Sequence, residues 1–275
     1  MRTILITGAT DGIGLETARQ LARQGHEIVL HGRSEERAHH VRDLLLRAMP
    51  VASIHTVSAD FADLAEVARM ARAVSSRFPC LDVLVNNAGV YLTSRMLSRN
   101  GYEMTLAVNH LAHFLLTLSL LPLLKRSTEA RVVTVSSMVH SGGHIQFEDM
   151  NGGHRFDGYA AYANSKLANV LFANELARRE PWLASNSLHP GVIDTKLLHA
   201  AFSMAGAPVQ EGARTSVYLA VSPEVAGITG KYFTRSAEAE ASARAQDPAL
   251  ATELWAWSEN ATKNWFRSNL GSMYN

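Results

Sequence analysis

Tyr162 and Lys166 stand four residues apart in a segment, Tyr159 to Arg178, whose apolar spacing predicts a helix. Residues at i and i+4 share one helix face. A free tyrosine titrates near ~10, and a neighbouring ammonium stabilises its phenolate. The expectation is a Tyr162 phenol of lowered pKa, suited to moving a proton to or from an oxygen near neutrality. Reducing a carbonyl also needs a hydride donor and a group that holds the carbonyl oxygen. A serine of the pair Ser136-Ser137, at the end of the apolar run Arg131 to Ser136, suits that second task as an electrostatic stabiliser and not as a nucleophile.

A hydride donor needs a binding site, and the N-terminus carries the pattern for one. Thr3 to Thr7 is a short β-branched run, and Gly12 to Gln24 has helical apolar spacing. Between and into them run Gly8, Thr10, Asp11, Gly12, Ile13 and Gly14, the candidate contacts to a dinucleotide. Gly8 permits a tight turn, Gly12 lets the backbone approach a pyrophosphate, and Gly14 lets the helix pack closely on the strand. The helix N-terminus adds unpaired N–H groups and a favourable dipole. The second strand, Glu27 to His31, ends in His31-Gly32-Arg33 with no carboxylate for a ribose diol. Gly32 leaves space and Arg33 offers a charged fork for a 2′-phosphate, which points to NADP(H). Asp60, with Phe61 beside it, follows the third strand and is placed for the adenine amino group.

The elements that must position these groups alternate. A helix from Ser34 to Arg47, with Ser34 as N-cap, precedes a strand at Ser53 to Val57. Asp63 caps a helix to about Arg77, and Leu81 to Val85 is a fourth strand. A long helix is predicted from about Asn100 to Arg126, and a sixth strand ends near Leu188. Gly230 to Phe233 is read as a seventh, and helices are expected near Gln210 to Val221 and Pro248 to Lys263. Strands alternating with helices indicate βαβ units and an α/β parallel sheet of about seven strands, covered by helices on both faces. The 275 residues form one domain, 1–275, with a C-terminal helical extension at about 236–275.

Further segments complete a set: Asn87-Ala88-Gly89 after the fourth strand, Asn109 in the long helix, and Pro190, Gly191, Ile193 and Thr195 after the sixth strand. With the glycine turn, the serine pair and Tyr162-x-x-x-Lys166, these motifs resemble the short-chain dehydrogenase/reductase family over residues 3 to about 235. The long spacing from Ser137 to Tyr162, with His140 to Gly158 inserted, resembles the branch of retinol dehydrogenases and protochlorophyllide reductases. The resemblance implies a Rossmann-like doubly wound sheet and an NADP(H)-dependent oxidoreductase interconverting a carbonyl and an alcohol on a lipophilic small molecule. It implies Tyr162 as general acid/base and Lys166 as a ribose-binding group that lowers its pKa. It also implies Ser137, the second of the pair, at the carbonyl oxygen, and Asn109 at a proton-relay water. Asn87, Ala88 and Gly89 would line the cofactor cleft, with Pro190, Gly191, Ile193 and Thr195 at the nicotinamide end.

The residues near 196–208, with Leu197, Leu198, Phe202 and Met204, are read as a substrate lid. The family often forms dimers or tetramers through its long helices, and Leu115 to Leu124 would supply such a face. Two other readings stand beside the enzyme. A dinucleotide-sensing regulatory protein would typically lack the tyrosine or lysine that this chain keeps. A light-dependent double-bond reductase expects a cysteine donor near the site, where none is placed.

The near-balance of 26 basic against 25 acidic residues gives no excess to track phosphates, so no nucleic-acid partner is expected. The single Cys80 excludes an internal disulfide and fits a reducing, cytoplasmic compartment. Leu111 to Leu124 is apolar but interrupted, and is expected to be a buried helix and not a membrane span. His110 and His113 lie three apart without a matching carboxylate, so no metal is expected. His140, His144 and His154 are expected in a solvated loop, and Trp255, Trp257 and Trp265 on the apolar side of the last helix.

Overall fold

Alternation along β1 (Thr3–Ile6) sets the layers: Ile4 and Ile6 face one side of the sheet and Leu5 the other, all fully buried. The computed structural model describes residues 1–201 and 204–270. After β1 come α1 (Gly12–Arg23), β2 (Glu27–Gly32), α2 (Glu35–Ala48), β3 (Ile54–Ser58), α3 (Leu64–Arg77) and β4 (Val83–Asn86). Ser34 and Asp63 cap α2 and α3 as the sequence indicates, each accepting a backbone N–H of the first turn. Then follow α4 (Met104–Leu106), a π-helical turn at Ala107–Leu111, α5 (Ala112–Leu124) and β5 (Arg131–Val135). The chain continues through α6 (Gly158–Arg179), β6 (Ala184–His189), α7 (Lys196–Ala201), α8 (Val209–Val221), β7 (Tyr232–Thr234), β8 (Ala237–Ala239) and α9 (Pro248–Leu270).

The strands form one sheet in the order β3-β2-β1-β4-β5-β6-β7-β8. The order reverses between β1 and β4, the crevice where doubly wound sheets bind ligands. All pairs are parallel except β7 with β8. The eight strands exceed the seven expected because β8 is a three-residue antiparallel edge, Ala-Glu-Ala, with no apolar alternation to betray it. Ile4, Ile28, Leu30, Val83 and Val133 pack with α1, α2 and α8, while Leu5, Val29, Leu84 and Val132 pack with α3, α5, α6 and α9.

Two expectations about the long helix are corrected. It begins at Met104 and not Asn100, because the Glu103 carboxylate caps it by accepting the Thr105 and Leu106 N–H groups. It is also wound as a π turn through Ala107–Leu111. The segment Met104–Leu124 is long and apolar enough to cross a membrane, but 78% of its apolar window is buried inside the protein. Most of the Leu115 to Leu124 face is covered within this chain. Leu115, Leu116, Leu120, Leu123 and Leu124 are buried, and Trp255 of α9 packs edge-on to Phe114 at 5.0 Å and stacks on Phe172 at 5.9 Å.

Candidate active site

A cavity of about 1130 Å³ opens at the carboxyl ends of the strands. It is lined by the glycine turn, Arg33, Asp60, Phe61, Asn87 to Gly89, Ser137, Tyr162, Lys166 and Pro190 to Thr195. All of the sequence-predicted cofactor residues and three of the four catalytic candidates border this one space; Asn109 lies directly behind it.

The glycine turn is built as its spacing predicts. Gly8 and Gly12 have φ of 64° and 53°, in the left-handed region that glycine adopts freely. A side chain at Gly14 would lie 2.4 Å from Asn87 Nδ2 and from the Gly8 carbonyl. Asp11 is the N-cap of α1, and its carboxylate also meets Arg37 at 3.0 Å and Lys196 at 2.6 Å. The Lys196 hydrogen bond contributes most to holding that carboxyl below its ordinary value. Lys196 begins α7, so Asp11 ties the glycine turn to the segment expected to be a lid, of which Phe202 lies outside the described residues. The space expected over Gly32 is filled: the Thr10 methyl would lie 2.5 Å from a Cβ there. Arg33 is exposed at the cavity edge and makes no hydrogen bond or ion pair among the described residues.

Behind the turn lies a buried polar seam that sequence reasoning missed. The Gly8 N–H donates to His31 Nδ1 at 3.1 Å, and His31 Nε2 meets the Ala59 carbonyl at 3.0 Å. The ring stacks on Phe61 at 4.4 Å, and burial takes its pKa down to about 4. Phe61 is therefore the floor of the cleft, 4% exposed and clamped between His31 and the edge of His113. Thr7 Oγ1 accepts the N–H groups of Asn87 and Ala88 at 2.8 and 2.9 Å and meets His113 Nε2 at 2.9 Å. His113 Nδ1 meets the Asn109 carbonyl at 2.9 Å. His110 instead reaches Ser258 Oγ, so the two histidines serve different partners.

Asn109 is fully buried. Its Oδ1 accepts the Val90 N–H, and its Nδ2 donates to the Val90 carbonyl and to Ser165 Oγ. Ser165 Oγ in turn donates to the Tyr162 carbonyl at 2.7 Å. A side chain at Gly89 would lie 3.4 Å from Asn109 Oδ1 and 3.6 Å from Lys166 Nζ, which locates these groups beside one another.

Lys166 Nζ donates to the Val135 carbonyl at 3.2 Å and lies 5.5 Å from the Tyr162 ring centroid. Burial lowers its pKa to about 8. The Tyr162 phenol goes the opposite way to expectation. Its pKa is raised, because the group is 6% exposed and desolvation of the phenolate outweighs attraction to an ammonium set against the ring face. The serine pair divides by environment. Ser136 is buried and donates to the Lys166 carbonyl at 2.7 Å. Ser137 faces the cavity, and its Oγ accepts the Val139 N–H at 3.4 Å. His140 is buried, against the expectation of a solvated loop. Its Nδ1 meets the Ser137 carbonyl at 2.7 Å, and its Nε2 accepts the Ser242 N–H. His144 and His154 are exposed as expected. His189 also lines the cavity; burial takes its pKa to about 4, and its Nδ1 finds no hydrogen-bond partner among the described residues.

A doubly wound sheet with a glycine turn at its switch point, and a tyrosine-lysine pair facing the same cleft, defines a nucleotide-dependent oxidoreductase. The family model for short chain dehydrogenases matches residues 2–206, and the chain belongs to that family. It is 39% identical to retinol dehydrogenase 14 of Homo sapiens over 94% of this chain and 85% of that protein. It is 42% identical to polyprenol dehydrogenase of Mus musculus over 93% of this chain and 82% of that protein. These relatives place it in the retinol dehydrogenase branch as an NAD(P)-dependent oxidoreductase. Among solved structures, a short chain dehydrogenase from Escherichia coli CFT073 complexed with NADPH shares 26% identity at a TM-score of 0.72, covering 86% of this chain and 97% of that one.

Proposed function

We propose that the chain interconverts a carbonyl and an alcohol on a lipophilic small molecule, using NADP(H). The observation that carries this reading is one continuous cavity with Arg33, which has no ion-pair partner among the described residues, at one end and Tyr162, Ser137 and Lys166 at the other. The residues fit the cofactor: Gly12 is open, with only the Thr195 methyl near a would-be side chain, and the α1 N-terminus faces the cleft. Arg33 would take the 2′-phosphate, and an NADPH complex within the same fold supports that choice. Asp60, Asn87 to Gly89 and Pro190 to Thr195 would line the remainder.

When bound, the nicotinamide supplies or takes the hydride. The raised pKa of Tyr162 keeps it a neutral phenol, the form that donates a proton to the nascent alkoxide in reduction. Lys166 would hold the ribose hydroxyls, and its ammonium would offset the charge left on the phenolate. The Val139 N–H takes a lone pair of Ser137 Oγ, leaving the O–H free to donate to the substrate oxygen. Both N–H groups of the Asn109 amide are engaged and its Oδ1 accepts the Val90 N–H, so what Asn109 can offer a relay water is an acceptor, on its backbone carbonyl or the second lone pair of Oδ1.

Leu92, Met96, Met138, Val192 and Met204 line the substrate portion, and residues 196–208 act as its lid. This apolar lining, with retinol and polyprenol dehydrogenases as relatives, supports an apolar alcohol or aldehyde as substrate. The lone Cys80 is a free thiol, in keeping with a cytoplasmic setting. The test follows NADPH and NADH oxidation by absorbance against retinal, isoprenoid aldehydes, steroids, quinones and aromatic ketones. Turnover of an apolar carbonyl, preferring NADPH, is expected. NADPH binding without turnover of any of them would move the protein to a sensing role, and preference for NADH would remove the Arg33 assignment.

A further inference from the structure

His113 carries no step in the reaction just described, yet it hydrogen-bonds both Thr7, which holds the Asn87-Ala88 loop, and the carbonyl of Asn109. It is 1% exposed and lies 106 residues from Thr7 in sequence. Its two contacts allow only one tautomer. The Asn109 carbonyl can only accept, so Nδ1 carries the hydrogen and Nε2 is bare. Nε2 then accepts from the Thr7 hydroxyl at 2.9 Å, nearer than the Val85 carbonyl that the same hydroxyl reaches at 3.2 Å. That leaves the two lone pairs of Thr7 Oγ1 for the two N–H groups it holds, those of Asn87 and Ala88. The opposite tautomer would bring an N–H against an oxygen whose lone pairs are both taken. It would also leave the Asn109 carbonyl facing a lone pair. Burial keeps the ring neutral, with a pKa of about 3, and the Phe61 ring packs nearly perpendicular to it at 5.3 Å.

We propose that His113 is a positioning residue for the reaction, coupling the Asn87-Ala88 cofactor loop to Asn109 through a single fixed imidazole. Its Nε2 orients the Thr7 hydroxyl, and so sets the loop beside which the nicotinamide would lie. Its Nδ1–H fixes the π turn that carries Asn109 and takes one lone pair of the Asn109 carbonyl, so that a relay water has one defined direction of approach. Cofactor seating and proton supply are therefore held in register by one side chain. The proposal rests on the reading of the site as a carbonyl reductase, and its test has an arm that does not.

Three variants separate the two contacts. His113→Leu keeps much of the volume and loses both. His113→Asn retains an amide N–H as many bonds from the backbone as Nδ1, suited to the Asn109 carbonyl. His113→Gln carries an amide oxygen further out, suited to the Thr7 hydroxyl. The NADPH dissociation constant is measured by cofactor fluorescence without substrate. The value of kcat is measured with saturating NADPH and the best carbonyl found, and thermal unfolding reports folding. His113→Leu is expected to weaken NADPH binding and lower kcat by about tenfold each, the scale of one lost buried hydrogen bond. His113→Asn is expected to recover kcat while NADPH binding stays weak, and His113→Gln to recover binding while kcat stays low. If the three variants lose binding and kcat together, in proportion to thermal stability, His113 is packing and the proposal falls. A folded His113→Leu protein with native binding and native kcat overturns it equally. If no carbonyl turns over in the native protein, the reductase reading fails, and the binding arm still decides whether His113 sets the cofactor loop.

Discussion

The two walls of the cavity are made of different material. On the cofactor side, Thr7, Gly8, His31, Asn87, Asn109 and His113 are joined by hydrogen bonds of 2.8 to 3.3 Å; Gly8 and Asn87 are half-buried at the cavity and the other four are buried behind them. On the side proposed for the substrate, Met96, Met138 and Met204 are each about half exposed. Methionine is unbranched and polarizable, and adapts to irregular partners. The cofactor wall is thus specified by groups that tolerate one arrangement, and the substrate wall by groups that tolerate many. One invariant cofactor and a range of apolar substrates would ask for that division.

The contrast can be broken from the fixed side first. Tyr162→Phe removes the proton donor and is expected to lower kcat by about 10³-fold, within the range of general acid catalysis, while NADPH still binds. Stopped-flow turnover beside a binding titration checks it. Acid tests the seam itself. His31, His110 and His113 have folded pKa values of about 4, 3 and 3, below the ~6.5 of the unfolded chain. Unfolding therefore takes up protons once the pH falls below that unfolded value. Stability is full above it and declines towards the folded values, at about 1.4 kcal/mol per pH unit for each histidine. Urea unfolding at neutral and mildly acid pH measures the slope; a flat profile would mean the imidazoles are not held neutral. Arg33→Gln is expected to raise the KM for NADPH about tenfold or more and leave that for NADH unchanged, as befits loss of a charge-assisted contact. The smallest effect belongs to the adaptable wall. Met138→Ala is expected to shift KM for apolar substrates by less than about tenfold with kcat preserved, because neighbours can move into the space. A collapse of kcat there would make the substrate wall as exacting as the cofactor wall.

The sheet was legible because buried parallel strands read as apolar runs between helical patterns, and because glycines at 8, 12 and 14 have few other uses in that order. What escaped was short or distant. β8 is three residues with no pattern, and the π turn at Ala107–Leu111 leaves no periodic trace in an apolar stretch. The motif residues were legible as a set that the fold gathers at one cavity, but the sequence did not show how they are held. Thr7 and His113 meet only through the fold, although the i, i+4 spacing of Asn109 and His113 was a readable hint. Its place in the inserted segment suggested that His140 was solvated, whereas it is buried and bonded to the Ser137 carbonyl and the Ser242 N–H. The shift on Tyr162 was misjudged because spacing places a lysine near a tyrosine without saying whether it meets the hydroxyl or the ring face, or how dry the site is.

The last helix has a consequence in time. Leu254, Trp255, Ser258 and Ala261 of α9 lie across α3, α5 and α6, where Trp255 meets Phe114 and Phe172, and Ser258 meets His110. Translation completes α5 and α6 long before those residues leave the ribosome. Until then the nascent chain carries an uncovered aromatic face over an otherwise finished sheet, the kind of surface that recruits chaperones and drives aggregation. Ribosome pausing within the final segment would therefore act on yield, with no change in the activity of the molecules that reach completion.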